Sequence, residues 1–108
     1  RRLAAAGRRV RERRDPTAHA ALLALSAAGR EAAAPGALLA VTREPCPLCL
    51  GAAFAAGVDT VVYGVEDAAG GGTERCIPPE APGAVPPRLV GGVRRREAAA
   101  LLDARPGA

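Results

Sequence analysis

The chain has 108 residues, enough for one domain with a single hydrophobic core and too few for two. Its formal charge of +4 comes from Arg alone, with no Lys, Asn or Gln, so we attribute it to an Arg-, Ala-, Gly- and Pro-rich composition more than to any partner. No run approaches the ~20 apolar residues of a membrane span, and no signal segment opens the sequence, which predicts a soluble, cytoplasmic protein with no membrane partner.

The first predicted elements are a short strand and a charged loop. Residues 3–6 (LAAA) predict the strand, and RRVRERRDP predicts the loop. Seven of the first fourteen residues are Arg: Arg1, Arg2, Arg8, Arg9, Arg11, Arg13 and Arg14. A solvated surface is the simpler interpretation, and a patch that follows the phosphates of a nucleic acid is the alternative.

A helix over residues 16–28 is the next predicted element. Asp15 occupies an N-cap position, Pro16 suits the first helical turn, and Gly29 is a natural end. The aliphatic run between them supplies the side that faces the core.

A strand, a helix and a second strand follow. GALLAVT (36–42) predicts a buried strand, residues 45–57 a helix opened by prolines, and residues 59–65 a strand rich in β-branched side chains. This order predicts a right-handed crossover and a parallel pair of strands.

The C-terminal third is predicted to be a long loop, a strand and a helix. Residues 66–88 are too rich in Gly and Pro for a regular element. Residues 88–93 predict a strand, and residues 94–104 a helix with Leu101 and Leu102 on its apolar side. The alternation of strands and helices over residues 1–108 predicts a single α/β domain.

A histidine and two cysteines form the pattern that says most about function. His19 lies near the start of one predicted helix, and Cys46 and Cys49 lie in the first turn of the next, after Pro45. Residues three apart on a helix share a face, and a helix N-terminus favours thiolates, so both cysteines can reach one ion. Two thiolates and one imidazole suit Zn²⁺ and leave a fourth position for water, as in catalytic zinc sites.

Other interpretations of these residues stay open. His19 alone would more often be a capping or half-buried residue, and only its pairing with the cysteines favours a ligand. Cys76 could complete a structural site with four ligands, although a plain thiol is the simpler interpretation. An odd number of cysteines, two of them at Cys-x-x-Cys spacing, favours metal binding in a reducing compartment over a disulfide framework.

Two segments carry a resemblance to a known family. DPTAHAALLAL and VTREPCPLCLGAAFAAGVDTVVYGVEDAAGGG closely resemble the zinc-dependent nucleobase deaminases of the cytidine deaminase-like superfamily, above all bacterial tRNA adenosine deaminase and guanine deaminase. The family signature His-x-Glu…Pro-Cys-x-x-Cys is matched at His19, Pro45, Cys46 and Cys49. The resemblance implies a layered fold with a central mixed sheet flanked by helices, and a zinc-bound hydroxide that displaces ammonia from a purine or pyrimidine ring.

The sequence departs from the family pattern at the catalytic carboxylate. Ala21 stands where the family carries Glu, the residue that moves protons between the zinc-bound water, the ring and the leaving amine. A general acid–base group typically supplies about 10²–10⁴-fold in rate, so we predict a strongly impaired or inactive chain that can still hold zinc. A substitution made to trap a substrate complex and natural loss of activity both account for Ala21.

Two further departures concern the N-terminal part. Arg8 and Arg9 lie about where the family commonly has an Asn that contacts the base. The helix and first strand with which the family usually begins have no counterpart upstream of RRLAAAG. The first departure leaves the contact with substrate unassigned. For the second, either this sequence omits these elements, or the domain has lost one edge of its sheet and covers that edge with a partner.

Taken together, these residues predict zinc-dependent hydrolytic deamination of a nucleobase, nucleoside or tRNA base, impaired in this chain by Ala21. The alternative is a deaminase-like binding module, a pseudoenzyme that uses zinc only for stability. The partners that the resemblance implies are a purine or pyrimidine base, with tRNA as a possible polymeric substrate, and a second copy of the chain in a homodimer.

Overall fold

A computed structural model of the protein describes residues 2–73 and 86–103. Its elements in chain order are helix α1 (Val10–Arg13), helix α2 (Ala20–Ala28), a 3₁₀ helix (Gly29–Ala33), strand β1 (Leu38–Arg43), helix α3 (Pro47–Ala56), strand β2 (Thr60–Val65), strand β3 (Arg88–Val90) and helix α4 (Arg95–Asp103). The predicted α/β class is confirmed. None of the helices in this part of the chain is long and apolar enough to cross a membrane.

The described strands form one parallel sheet in the order β1-β2-β3. Val41 of β1 lies opposite Tyr63 of β2, and Val61 of β2 lies opposite Leu89 of β3. The predicted parallel pair around a crossover helix is therefore confirmed. No antiparallel pair of the expected mixed sheet lies among the described strands.

Helices cover both faces of this sheet. Val61 is fully buried in the cluster formed with α2 and α3. A Cβ added at Gly64 would lie 2.3 Å from the Cβ of Ala98 in α4. Because residues an odd number apart on a strand point to opposite faces, α4 lies on the other side of the sheet. The order is α2 and α3, then the sheet, then α4.

The core is thin and built from small side chains, as the composition predicts. Among the described residues, its cluster consists of Ala21, Leu25, Ala32, Leu39, Cys49, Ala53, Val58 and Val61. The prediction that Leu101 lies on the apolar side of α4 is wrong, since Leu101 is 59% exposed. Ala98 is the residue of α4 that faces the sheet. Burial is concentrated where α2, α3 and the sheet meet.

The start of α2 differs from the prediction. Asp15 does not cap the helix: its Oδ1 atom accepts hydrogen bonds from the backbone N–H of Thr17 at 2.9 Å and from the hydroxyl of Thr17 at 2.6 Å. This local turn satisfies the carboxylate before the helix begins. The helix starts at Ala20, with His19 at its N-cap position, while the predicted charged loop contains the single turn α1.

The predicted burial of β1 is confirmed only on one face, where Leu39 belongs to the core cluster, and the predicted strand at residues 3–6 is wrong. Leu38 points to the opposite face of β1 from Leu39 and is 59% exposed. Residues 2–9 form no regular element in the structure. Ala has a low preference for strands, and a segment without a hydrogen-bonded neighbour cannot form a ladder. Cys76 and residues 74–85 of the predicted long loop lie outside the described residues.

Candidate metal centre

The three predicted ligands lie at the starts of two neighbouring helices. His19 precedes the first residue of α2 and Cys46 precedes the first residue of α3, both in extended conformation. Their carbonyl groups accept the first helical hydrogen bonds, from the N–H groups of Leu23 at 3.0 Å and Leu50 at 2.9 Å. Cys49 lies in the first turn of α3. Since α2 and α3 pack against each other, these starts meet.

The ligand atoms face one another. The Nδ1 atom of His19 lies 3.5 Å from the Sγ atom of Cys46 and 3.4 Å from that of Cys49, and the three ligand atoms lie within 4.8 Å of one another. A tetrahedral zinc ion with usual Zn–N and Zn–S bonds separates its nitrogen and sulfur ligands by about 3.6 Å. The donor atoms therefore fit a zinc ion, and the set is positioned to bind one.

The surroundings of Cys49 also suit a cation. Burial, followed by its contact with Cys46, raises the pKa of the Cys49 thiol to about 12. In a buried site, a bound metal ion supplies the positive charge that a thiolate needs. Cys49 is 3% exposed, whereas His19 and Cys46 are half-buried, so one side of the cluster stays open.

A cavity of about 850 Å³ adjoins this open side. Its lining includes the three predicted ligands together with Ala21, whose methyl group can neither donate nor accept a proton. Ala21 is 8% exposed and lies on the first turn of α2, next to the metal cluster. A carboxylate at this position would reach the same cavity, but the present side chain contributes packing alone.

A second departure from the family pattern, at Arg8, lies at the rim of the cavity. Arg8, about where the family carries its base-contacting Asn, is exposed and lines the cavity. The backbone N–H of Arg9 donates to the carbonyl of Ala18 at 2.9 Å, which ties the arginine-rich segment to the residue before His19. A charged guanidinium therefore borders the opening in place of an amide.

Sequence reasoning missed the partners of Glu44, which comes before Pro45 and Cys46. Its carboxylate accepts hydrogen bonds from Asp67 and Thr73, and these bonds, with the Thr73 hydroxyl first, hold the pKa of Glu44 below its usual value. Asp67 and Gly70, in the loop after β2, also line the cavity. No local pattern could have identified partners so far away in sequence.

Comparison with known proteins places the sequence among deaminases and tRNA-modifying proteins. Residues 1–65 match the family model of the cytidine and deoxycytidylate deaminase zinc-binding region. The chain is 48% identical over 94 residues to the tRNA(Ile)-lysidine synthase of Thermus thermophilus. The aligned region covers 87% of this chain and 17% of that protein. It is 42% identical over 76 residues to the tRNA-specific adenosine deaminase of Agrobacterium fabrum, covering 67% and 49% of the two chains. The chain thus spans about a sixth and about half of these relatives.

Solved structures show the same fold. A chain from studies of A-to-I editing by tRNA:A34 deaminases matches with a TM-score of 0.74 and 33% identity, covering 92% of this chain and 75% of that chain. The guanine deaminase of Nitrosomonas europaea matches with a TM-score of 0.64 and 31% identity, covering 88% and 60%. The expected layered α/β fold and the resemblance to both deaminase branches are confirmed.

Proposed function

Because the chain belongs to the cytidine and deoxycytidylate deaminase zinc-binding family, we propose that it carries the site of a hydrolytic nucleobase deaminase whose turnover is impaired. The observation that supports this most strongly is one cavity lined by the zinc-binding cluster and by Ala21. Three residues that could hold a metal ion line this cavity, and position 21 carries no carboxylate that would move protons.

The metal ligands, the cavity and residue 21 have different roles in this proposal. His19, Cys46 and Cys49 would hold the zinc ion. When bound, zinc supplies a Lewis acid that makes water available as a nucleophile near neutral pH. The adjoining cavity holds the base close to the metal and keeps it oriented. Ala21 can neither take a proton from water nor deliver one to the ring and the departing ammonia.

The substrate we favour is a base within RNA, such as tRNA. Exposed Arg8 lines the cavity, and four more exposed arginines follow it closely in the chain. We call these five residues the arginine surface: Arg8, Arg9, Arg11, Arg13 and Arg14. Glu12 and Asp15 offset only part of this charge. A positive surface beside the opening suits the phosphates that flank a base in a polymer, and a free base has no such groups.

The test combines metal analysis with turnover. We expect one zinc per chain, little ammonia release from purines, pyrimidines, their nucleosides or tRNA, and a gain of about 10²–10⁴-fold for Ala21→Glu on its substrate. Ala27→Glu is the matched control, because residue 27 lies on the exposed side of α2. Zinc binding with no turnover by Ala21→Glu on any of these substrates would contradict a deaminase site.

A second candidate function is a binding module without catalysis. One support is Ala21, which carries no catalytic carboxylate. The other is similarity to a tRNA(Ile)-lysidine synthase, which is named for another reaction; the match covers 17% of that protein. Such a module would bind tRNA with the same affinity whether residue 21 is Ala or Glu, and neither form would release ammonia. Binding and ammonia assays on the two forms therefore separate the two functions.

We also propose a homodimer, as the family resemblance implies. Strand β1 supports this, because it lies at the edge of the sheet formed by the described strands and its Leu38 is 59% exposed. An unpaired strand edge with apolar side chains favours association with another chain. Sedimentation at several protein concentrations tests the assembly, and a mass of one chain at all of them would contradict it.

A further inference from the structure

Glu44 joins two segments that lie far apart in the sequence. Its Oε1 atom accepts a hydrogen bond from the backbone N–H of Asp67 at 3.1 Å. Its Oε2 atom accepts two from Thr73, one from the backbone N–H at 3.2 Å and one from the hydroxyl at 2.5 Å. Both oxygens of this half-buried carboxylate therefore hold the loop formed by residues 67–73.

The same loop lies directly on the turn that carries the first thiol ligand. The backbone N–H of Gly72 donates to the carbonyl of Pro45 at 2.7 Å. Gly72 is buried, and a Cβ added there would lie 2.7 Å from the nitrogen of Pro47 and 2.8 Å from the carbonyl carbon of Cys46. The loop thus packs against the backbone on both sides of Cys46.

We propose that Glu44 is a positioning residue: its carboxylate clamps the 67–73 loop onto the Pro45–Pro47 turn and so fixes the direction of the Cys46 thiol in the metal site. This inference rests on the zinc site of the proposed function. Groups that hold metal ligands in place strongly influence metal affinity although they never touch the ion. Glu44 acts in this way through the loop and the backbone of the turn.

The chemistry of the clamp requires a group that only accepts hydrogen bonds. Asp67 donates to one oxygen and Thr73 to the other, so both sides of the carboxylate face donors. A glutamine would turn an amide NH₂ toward one of these donors and lose that side of the clamp. The clamp also has an effect on the cavity, because Asp67 and Gly70 line it. Glu44 therefore couples the metal ligands to the shape of the substrate opening.

The test uses Co²⁺ in place of zinc, because its thiolate absorption bands report ligand geometry without any turnover. Glu44→Gln and Thr73→Val each remove part of the clamp, and Thr73→Ser retains the hydroxyl. Glu12→Gln in α1 is the matched control for loss of an acid, since Glu12 is exposed and outside the site. Hydrogen exchange of the amides of Asp67 and Thr73, measured without metal, follows the clamp itself.

We expect Glu44→Gln to bind Co²⁺ about 10–100-fold more weakly than the parent chain, with shifted thiolate bands and faster exchange at both amides. Thr73→Val should change in the same direction, and Thr73→Ser and Glu12→Gln should match the parent. Parent-like bands and Co²⁺ affinity in Glu44→Gln would overturn the positioning role. A parent chain that binds no metal would instead contradict the proposed function, and parent-like exchange at the two amides in metal-free Glu44→Gln would then overturn the clamp as well.

Discussion

The Nδ1 atom of His19 lies 3.4 Å from the Sγ atom of Cys49, although 30 residues separate them in the sequence. The path of the chain explains this closeness. After α2 ends, β1 returns the chain toward the level at which α2 began, and α3 starts there. Side chains at the starts of two packed helices then meet without any long loop. The metal centre is thus a direct result of the helix–strand–helix order.

Removing zinc is expected to destabilise the protein. A ligand that binds only the folded chain at 1,000 times its Kd adds about 4 kcal/mol to the free energy of unfolding. For a domain of this size each kcal/mol raises Tm by about 4–8 °C. Thermal unfolding with zinc and with a chelator should therefore differ widely for the parent chain.

Two cysteine variants check the ligand set behind this prediction. Cys49→Ser should unfold at the same Tm with zinc or chelator, because a ligand is lost. Cys76→Ser should keep the full zinc effect if three residues hold the metal. An equal loss of the zinc effect in Cys76→Ser would support a structural site with four ligands instead.

Replacing a fully buried core residue is expected to be costly in so thin a core. Val61 has no exposed surface, and Val61→Ala should lower the free energy of unfolding by about 2 kcal/mol through lost burial and a new cavity. Val90→Ala, at a residue 40% exposed on β3, is the matched control and should change stability by less than about 0.5 kcal/mol. Urea unfolding of both variants measures the difference, and equal losses would contradict the assigned core.

Much of this fold could be predicted from local patterns. Strand β2 lies within one residue of its predicted range, and α3 ends at Gly57 as predicted, because β-branched runs and Gly stops act locally. The start of α2 could not be predicted as well. An Asp before a Pro favours an N-cap, but Asp15 bonds to Thr17 instead, and two such outcomes differ by little free energy.

The candidate site was predictable to a different extent in its two parts. Spacing along a helix brings Cys46 and Cys49 together, and His19 near the start of the preceding predicted helix completes the set. The clamp on Glu44 depends on Thr73, which is 29 residues away and carries no signal of its own. The exposure of Leu38 likewise depends on what packs against its face of the sheet, and the apolar sequence of β1 does not specify this.

Acid is expected to affect the turn before His19 through Asp15. Hydrogen bonds from Thr17, first from its hydroxyl and then from its backbone N–H, lower the pKa of Asp15 from the ordinary value of 3.8. Because the pKa of Asp15 is lower in the folded chain than in the unfolded chain, the turn stabilises the fold fully at pH values above the ordinary pKa. This stabilisation is lost as the pH falls through the lowered pKa of the folded chain. Carboxyl titration by NMR should show a higher pKa for Asp15 in Thr17→Val than in the parent, and identical titrations would contradict the turn.

The arginine surface predicts a steep dependence of RNA binding on salt. Each phosphate contact changes the slope of log K against log salt by about −0.7 for single strands and about −0.9 for a duplex. Replacing Arg11 and Arg13 by Ala should therefore make the slope shallower by about 1–2 units and weaken binding similarly for different RNA sequences. The matched control replaces Arg30 and Arg88, exposed arginines on other elements, and should leave the slope unchanged. Equal effects of both double variants would indicate general charge attraction, and a flat salt response of the parent would remove RNA as the partner of this surface.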